Sequence, residues 1–317
     1  MGSTSLILRI AIIAIALLLQ PCSVLAKAPR VLVSIKPVHS LVAGVMEGVD
    51  TPELLISGGE SPHAFSLRPS DARKINQAKL IFWIGEELET PLEHILENQK
   101  SDSRIIELIA TEGVNLIPMR EGGVWESHLH HDEHEKEEHH HNANPHIWLS
   151  PKNAALIVRI AQQELGRLDP GNKAIYLQNA GAIQARLKVL DSEIREKTLA
   201  IRSTPFIVFH DAYPYYEQQY GLNAVGSVTV SPEHMPGAKR VHKLRAKIKS
   251  LGASCVFSEP QFQPKLAHTI TRGTGTENGI LDPLGAELPA DTDTYFRLMR
   301  NLTDALVDCL RQNQVEQ

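Results

Sequence analysis

The apolar and polar positions alternate between two periods along most of the chain. Short runs at Val31–Ile35, Leu54–Ser57, Leu80–Ile84 and Arg104–Leu108 have the compact apolar character of buried strands. Segments with helical spacing lie between them, at Val38–Met46, Pro69–Ala78 and Pro91–Asn98. Ser150-Pro151 opens a longer predicted helix that runs to Leu168. Ser suits the cap there, and Pro suits the first turn because its missing N–H would have no helical partner anyway. Later strands are predicted at Phe206–Phe209, Leu222–Ser227 and Cys255–Ser258, and helices at Gly237–Ser250, Lys265–Arg272 and Thr294–Leu310. This alternation predicts an α/β fold with largely parallel sheets.

One stretch breaks the rhythm. Asn172 to Leu199 has no Pro, one Gly (Gly181), and apolar residues at Ile175, Ala182, Ile183, Leu187, Leu190 and Ile194. A helix over this span would be roughly 42 Å long at 1.5 Å per residue, enough to join two lobes. Pro170-Gly171 and Arg202-Ser203-Thr204-Pro205 punctuate its ends. The expected organisation is an N-terminal α/β lobe over 27–169, a connecting helix over 170–202 and a C-terminal α/β lobe over 203–317. No internal sequence repeat is evident, although two lobes of this kind can share a structure.

The first 26 residues read differently. Arg9 precedes an apolar run from Ile10 to Leu19, followed by Val24-Leu25-Ala26. This reads as a secretory signal cleaved after Ala26, which implies export to the periplasm; the competing reading is a membrane anchor, for which the run is short. Leu19-Gln20-Pro21-Cys22 lacks the small residue expected before a lipidated cysteine. No later segment could span a bilayer, so the mature chain is expected not to be membrane-inserted. Two cysteines then remain, Cys255 and Cys309. In an oxidising compartment they read as a disulfide, and otherwise as two buried thiols.

Composition changes the picture only by exclusion. The chain is 42% hydrophobic and 22% charged with a formal net charge of −5, and no basic cluster stands out. Nucleic acid is therefore excluded as a partner.

Histidine supplies the chemistry. Of 15 histidines, seven crowd one stretch: His128, His130, His131, His134, His139, His140 and His141. Acids are interleaved at Asp132, Glu133, Glu135, Glu137 and Glu138. Such a segment, 126–143, cannot build a core and is expected to be a mobile loop whose neutral imidazoles bind Zn2+, Cu2+ or Ni2+ weakly. A tight site needs ligands on rigid elements instead. His63 follows the Leu54–Ser57 strand in a turn-rich segment, His146 lies in Asn144-Pro145-His146-Ile147-Trp148-Leu149, and His210 directly follows Phe206–Phe209. Carboxyl ends of strands are where α/β sheets bind ligands.

Several motifs carry a resemblance. They are Ser34-Ile35-Lys36-Pro37-Val38-His39-Ser40-Leu41, Ser61-Pro62-His63, Arg68-Pro69-Ser70-Asp71, Asn144 to Pro151, Phe209-His210-Asp211-Ala212-Tyr213, Ser258-Glu259-Pro260-Gln261-Phe262 and Leu281-Asp282-Pro283-Leu284-Gly285. Their order and spacing resemble the high-affinity zinc-uptake periplasmic binding proteins of ABC transporters, over essentially the whole chain after residue 26. The histidine-rich insertion before Asn-Pro-His is part of the likeness.

The resemblance implies two α/β lobes joined by a rigid long helix, with metal in the cleft. It implies His63 and His146 from the first lobe and His210 from the second as ligands of Zn2+. Manganese-type relatives tend to carry Glu where His210 stands; three neutral imidazoles suit zinc, and manganese favours more carboxylate oxygen. The Cys255/Cys309 pair also matches the second-lobe disulfide of the zinc branch. One departure concerns the fourth ligand. Some zinc members have an acid before the first histidine, where this chain has Pro62. The fourth position is left to water first, Asp282 second and a loop histidine third. Asp211 is expected behind the site or in a structural role, and His39 in a structural role. His94, His234, His242 and His268 match no ligand motif. The implied function is capture of Zn2+ and delivery to an ABC-type membrane permease by a monomeric receptor that is not an enzyme. A secreted zinc hydrolase would also use three histidines and an open position, but the chain has no His-Glu-x-x-His and no acid placed by motif as a general base. A manganese or iron receptor stays open as a third reading, and a metal buffer without a transporter as a fourth.

Overall fold

In the computed structural model, strands β1 (Val31–Ile35), β2 (Glu53–Ile56), β3 (Leu80–Trp83) and β4 (Arg104–Glu107) make one parallel sheet in the order β2-β1-β3-β4. Strands β5 (Pro205–Val208), β6 (Asn223–Ser227), β7 (Cys255–Ser258) and β8 (Glu277–Ile280) make a second in the order β6-β5-β7-β8. The structure describes residues 28–57, 59–98, 102–120, 125, 143–229, 237–262 and 265–312. The expected leader over 1–26 and the histidines from His128 to His141 lie outside the described residues, as does His234.

The two sheets share one connectivity. In each, the chain steps from its first strand to one neighbour and then crosses to the other side. That leaves a switch point between β1 and β3, and another between β5 and β7, at the carboxyl ends of the strands. Strands β1 and β3 are buried at every position, which their continuous apolar runs require of a sheet covered on both faces.

The helices are α1 (Lys36–Met46), α2 (Pro69–Gln77), α3 (Thr90–Glu97), α4 (Pro151–Leu168), α5 (Lys173–Thr198), α6 (Pro214–Tyr220), α7 (Ala238–Leu251), α8 (Lys265–Thr271) and α9 (Thr294–Gln312). Helix α5 is the expected connector, with 26 residues and a length of about 39 Å. It packs on α1 and α4 of the first lobe and on α6 and α9 of the second. Its buried stripe is Tyr176, Ala180, Ile183, Leu187, Leu190 and Ile194. The sequence pattern placed Ile175 and Ala182 on that stripe, but both are exposed. Steps of four, three and four residues keep 176, 180, 183 and 187 on one line, and 175 and 182 fall about 100° to its side. Gly44 sets how closely α1 approaches α5, because a Cβ there would lie 2.8 Å from Ile183 Cδ1.

One core runs from the first sheet through α5 to α9 and the near face of the second sheet. A smaller core of Ile207, Phe209, Val228, Leu244, Ile248, Ala253, Val256 and Ile270 covers the far face of the second sheet. The lobes are therefore joined through shared packing as well as through a helix. The disulfide Cys255–Cys309 ties β7 to α9 across 54 residues. Closing a loop of that length stabilises by about 4 kcal/mol in the chain-entropy picture. No helix among the described residues is long and apolar enough to cross a membrane.

Candidate metal centre

His63, His146 and His210 meet in the cleft between the lobes, each offering a ring nitrogen within 4.8 Å of the other two. Ring centroids are 5.5 Å apart for His63–His146, 5.9 Å for His63–His210 and 5.0 Å for His146–His210. His146 and His210 are buried and His63 is half-buried.

Local sequence fixes each ring. Pro62 biases Ser61 towards extended backbone. The Ser61 hydroxyl accepts from the His63 amide at 3.3 Å, and the Ala64 amide donates to the Ser61 carbonyl at 3.2 Å. This turn presents His63 to the cleft while buried Phe65 anchors the segment. At His146, the side-chain oxygen of Asn144 accepts from the backbone amide at 3.1 Å and from Nδ1 at 3.0 Å. A 3-10 turn, Ile147–Leu149, follows with all three side chains buried, and Ser150 caps α4 by accepting from the Asn153 amide. The Trp148 indole donates to the Pro283 carbonyl of the second lobe at 2.8 Å. His210 stands two residues past β5, and its Nδ1 donates to Glu259 at 2.7 Å. Glu259 directly follows β7, so the pair straddles the second switch point.

These contacts decide the tautomers. A carboxylate and an amide oxygen can only accept, so His146 and His210 carry their protons on Nδ1 and turn bare Nε2 atoms inwards. The two Nε2 atoms stand 3.1 Å apart. Lone pairs at that distance repel unless a cation or a shared proton lies between them. Burial first, then His210 and His63, hold His146 well below its ordinary 6.5, which disfavours the proton. Two nitrogens bound to one tetrahedral zinc at 2.0–2.1 Å would stand about 3.3 Å apart. The geometry therefore suits a divalent ion. Metal-bound histidines characteristically donate their other N–H to a carboxylate or a carbonyl, as both do here. Burial, and next the neighbouring Glu259, push the Tyr213 phenol well above 10.0, so it stays protonated behind the site.

Other residues singled out in the sequence fall elsewhere. Asp282 lies outside the histidine group. Its oxygens accept from the amides of Leu284, Gly285 and Ala286 at 3.1, 2.9 and 2.6 Å, and from Gln261 Nε2 at 3.3 Å. Asp211 pairs with Arg120, which also holds the buried Glu217. Arg120 stacks under Trp125 at 3.6 Å. The Asn144 amide donates to the Asp211 carbonyl at 2.5 Å, so this pair supports the backbone beside both His146 and His210. His39 is buried and meets the Pro52 carbonyl at 2.9 Å, a structural role. His242 and His268 are exposed on α7 and α8. His94 joins Glu93 and Glu97 in a second group on α3, with His94 and Glu97 exposed.

Glu259, Asn144 and Lys36 acquire roles that sequence reasoning did not assign. Glu259 follows a strand as His210 does, and Asn144 lies two residues before a candidate ligand. Those placements were the available signals.

Known proteins with this pattern are informative. A family model described as zinc-uptake complex component A, periplasmic, matches residues 31–309. The high-affinity zinc uptake system protein ZnuA of Brucella abortus is 42% identical over 304 residues, covering 88% of this chain and 91% of that protein. The Yersinia pestis protein of the same name is 35% identical over 317 residues, covering 96% and 98%. A crystal structure of ZnuA superposes with a TM-score of 0.76 at 25% identity, covering 89% of this chain and 99% of that one.

Proposed function

The chain belongs to the family of periplasmic zinc-uptake complex components, and we propose that it captures Zn2+ between its lobes and delivers it to an ABC-type membrane permease. One observation carries the assignment of the site. The Nε2 atoms of His146 and His210 face each other at 3.1 Å with both Nδ1 protons directed outwards. His63 completes a set of three imidazole donors, which suits zinc. Water takes the fourth position, because the Asp282 carboxylate is occupied by four other donors.

Delivery requires release, and an open fourth position leaves a route for an incoming ligand to displace the ion. The site performs no reaction of its own. Glu259, the acid in contact with a ligand, is committed to His210 and cannot serve as a general base without disturbing that ligand. The receptor acts as a monomer in the periplasm after cleavage behind Ala26. His128, His130, His131, His134, His139, His140 and His141 form an auxiliary set that binds further zinc weakly.

Zinc titration against a competing chelator tests this reading. The full mature chain should take one tight equivalent, lost in His63→Ala, His146→Ala and His210→Ala alike. Deleting residues 127–142 should remove weak equivalents and keep the tight one. Retention of the tight equivalent in all three alanine variants would overturn the site, and its loss with the deletion would overturn the division of labour.

A further inference from the structure

Lys36 opens α1 at the carboxyl end of β1, at the switch point of the first sheet. It is 6% exposed. Its ammonium reaches into the second lobe and donates to the carbonyls of Gly285, Ala286 and Leu288 at 2.9, 2.8 and 2.9 Å. An ammonium has three donors, so all are used.

The same loop is gripped from its other side by Asp282. Gly285 and Ala286 each donate an amide to Asp282 and each give a carbonyl to Lys36. The anion and the cation thus hold opposite ends of one peptide dipole, that of the Gly285–Ala286 bond: its N–H by Asp282 and its C=O by Lys36. Gly285 turns the loop with a φ of +68°, a conformation that favours glycine. Pro283 and Leu284, next along from Asp282, line the histidine cleft. Asp282 therefore sits on a loop that borders the histidine cleft, with its oxygens engaged by the loop's own amides and by Gln261.

We propose that Lys36 sets metal selectivity: by pinning the 285–288 loop it keeps the Asp282 carboxylate out of the coordination sphere and preserves an all-imidazole donor set. The inference rests on the zinc reading of the cleft. Freed from Lys36, the loop can loosen and let a carboxylate oxygen take the fourth position. Adding a hard oxygen to three imidazoles shifts a site towards manganese. Lys36 is a positioning residue, acting on the ion only through Asp282.

The experiment compares Zn2+ and Mn2+ affinities of the full mature chain by chelator competition. In Lys36→Met, Mn2+ should gain on Zn2+ by about tenfold, the lower end of what outer-shell changes produce. The gain should vanish in Lys36→Met/Asp282→Asn. An unchanged ratio in Lys36→Met, or a gain that survives the second substitution, overturns the proposal. Asp282→Asn alone gives a test independent of how Lys36→Met folds. It should leave the ratio unchanged, and a selective loss of Mn2+ binding of about tenfold or more would mean that the carboxylate is already a ligand. Failure of the zinc reading looks different: the unsubstituted chain would then lack a tight equivalent sensitive to His210→Ala.

Discussion

Among the described residues, two groups bring three ligand atoms within 4.8 Å of one another: His63, His146 and His210 in the cleft, and Glu93, His94 and Glu97 on α3. They match in spacing and differ in how they are held. The cleft donors come from three distant segments, two of them buried, and the rings of His146 and His210 are fixed by Asn144 and Glu259. The α3 group comes from one helix turn, and the side chains of His94 and Glu97 are 84% and 63% exposed. A metal arriving on α3 must order mobile side chains at an entropic cost. In the cleft, folding has already met that cost. Proximity of ligand atoms does not make a site; orientation by surrounding groups does.

This contrast can be broken in several ways, and the largest effect should come from the donors. His146→Ala or His210→Ala should weaken tight zinc binding by more than about 100-fold, above the range seen for outer partners. Competition titration measures this, and a loss of only a few fold would put the cleft on a par with α3.

The outer partners come next. Glu259→Gln keeps the shape but removes the charge that fixes the Nδ1 proton of His210, and zinc affinity should drop roughly 10–100-fold. Asn144→Ala should act in the same direction through His146. If both variants bind zinc like the parent, preorganisation is not what distinguishes the cleft.

A smaller effect is expected from pH on the metal-free protein. Burial, then the other two histidines, depress His146 below 6.5, and burial depresses His39 against the opposing pull of the Pro52 carbonyl. The unfolded chain therefore binds protons near pH 6.5 that the folded chain refuses. The contribution of these two groups to stability should be full above 6.5 and fall as pH drops below it, by up to about 1.4 kcal/mol per pH unit for each. Glu89, raised by burial to about 7, works the other way, because the folded chain keeps a proton there that the unfolded chain gives up. Thermal melts of the parent and of His146→Ala between pH 7.5 and 5.5 check the sign: the parent should lose more stability on acidification than the variant, and an equal or smaller loss would contradict neutral burial of His146.

The smallest effect belongs to α3. Replacing Glu93, His94 and Glu97 together by Ala should alter tight zinc binding by less than about twofold, within the ±0.5 kcal/mol of ordinary surface changes.

The same contrast between what is local and what is held from afar explains which parts were legible in the sequence. Strands β1 and β3 were readable because a strand covered on both faces must be apolar throughout. Helix α4 was readable from its Ser-Pro start. Strand β8 went unread because Glu277-Asn278-Gly279-Ile280 shows no apolar run. It is an edge strand, and a Cβ on Gly279 would lie 2.4 Å from Phe257 Cε1, so the glycine there answers a neighbour. Helix α6 was missed because Pro214 to Tyr220 is only seven residues, mixing aromatic and polar side chains. Among the site residues, the three histidines were visible through strand ends and family likeness. Their supports were hidden by separation: Glu259 lies 49 residues from His210, and Lys36 reaches a carbonyl 249 residues away. Nothing local in the sequence marks such pairings.

We propose that one zinc ion rests on His63, His146 and His210. Crystals of the zinc-loaded mature protein, measured on either side of the zinc absorption edge, test it most directly. An anomalous peak is expected in the cleft at about 2.0–2.1 Å from Nε2 of His146, Nε2 of His210 and a ring nitrogen of His63, with a water oxygen completing the tetrahedron. A tight-site peak on α3, or one in the cleft that omits any of the three imidazoles, would contradict it.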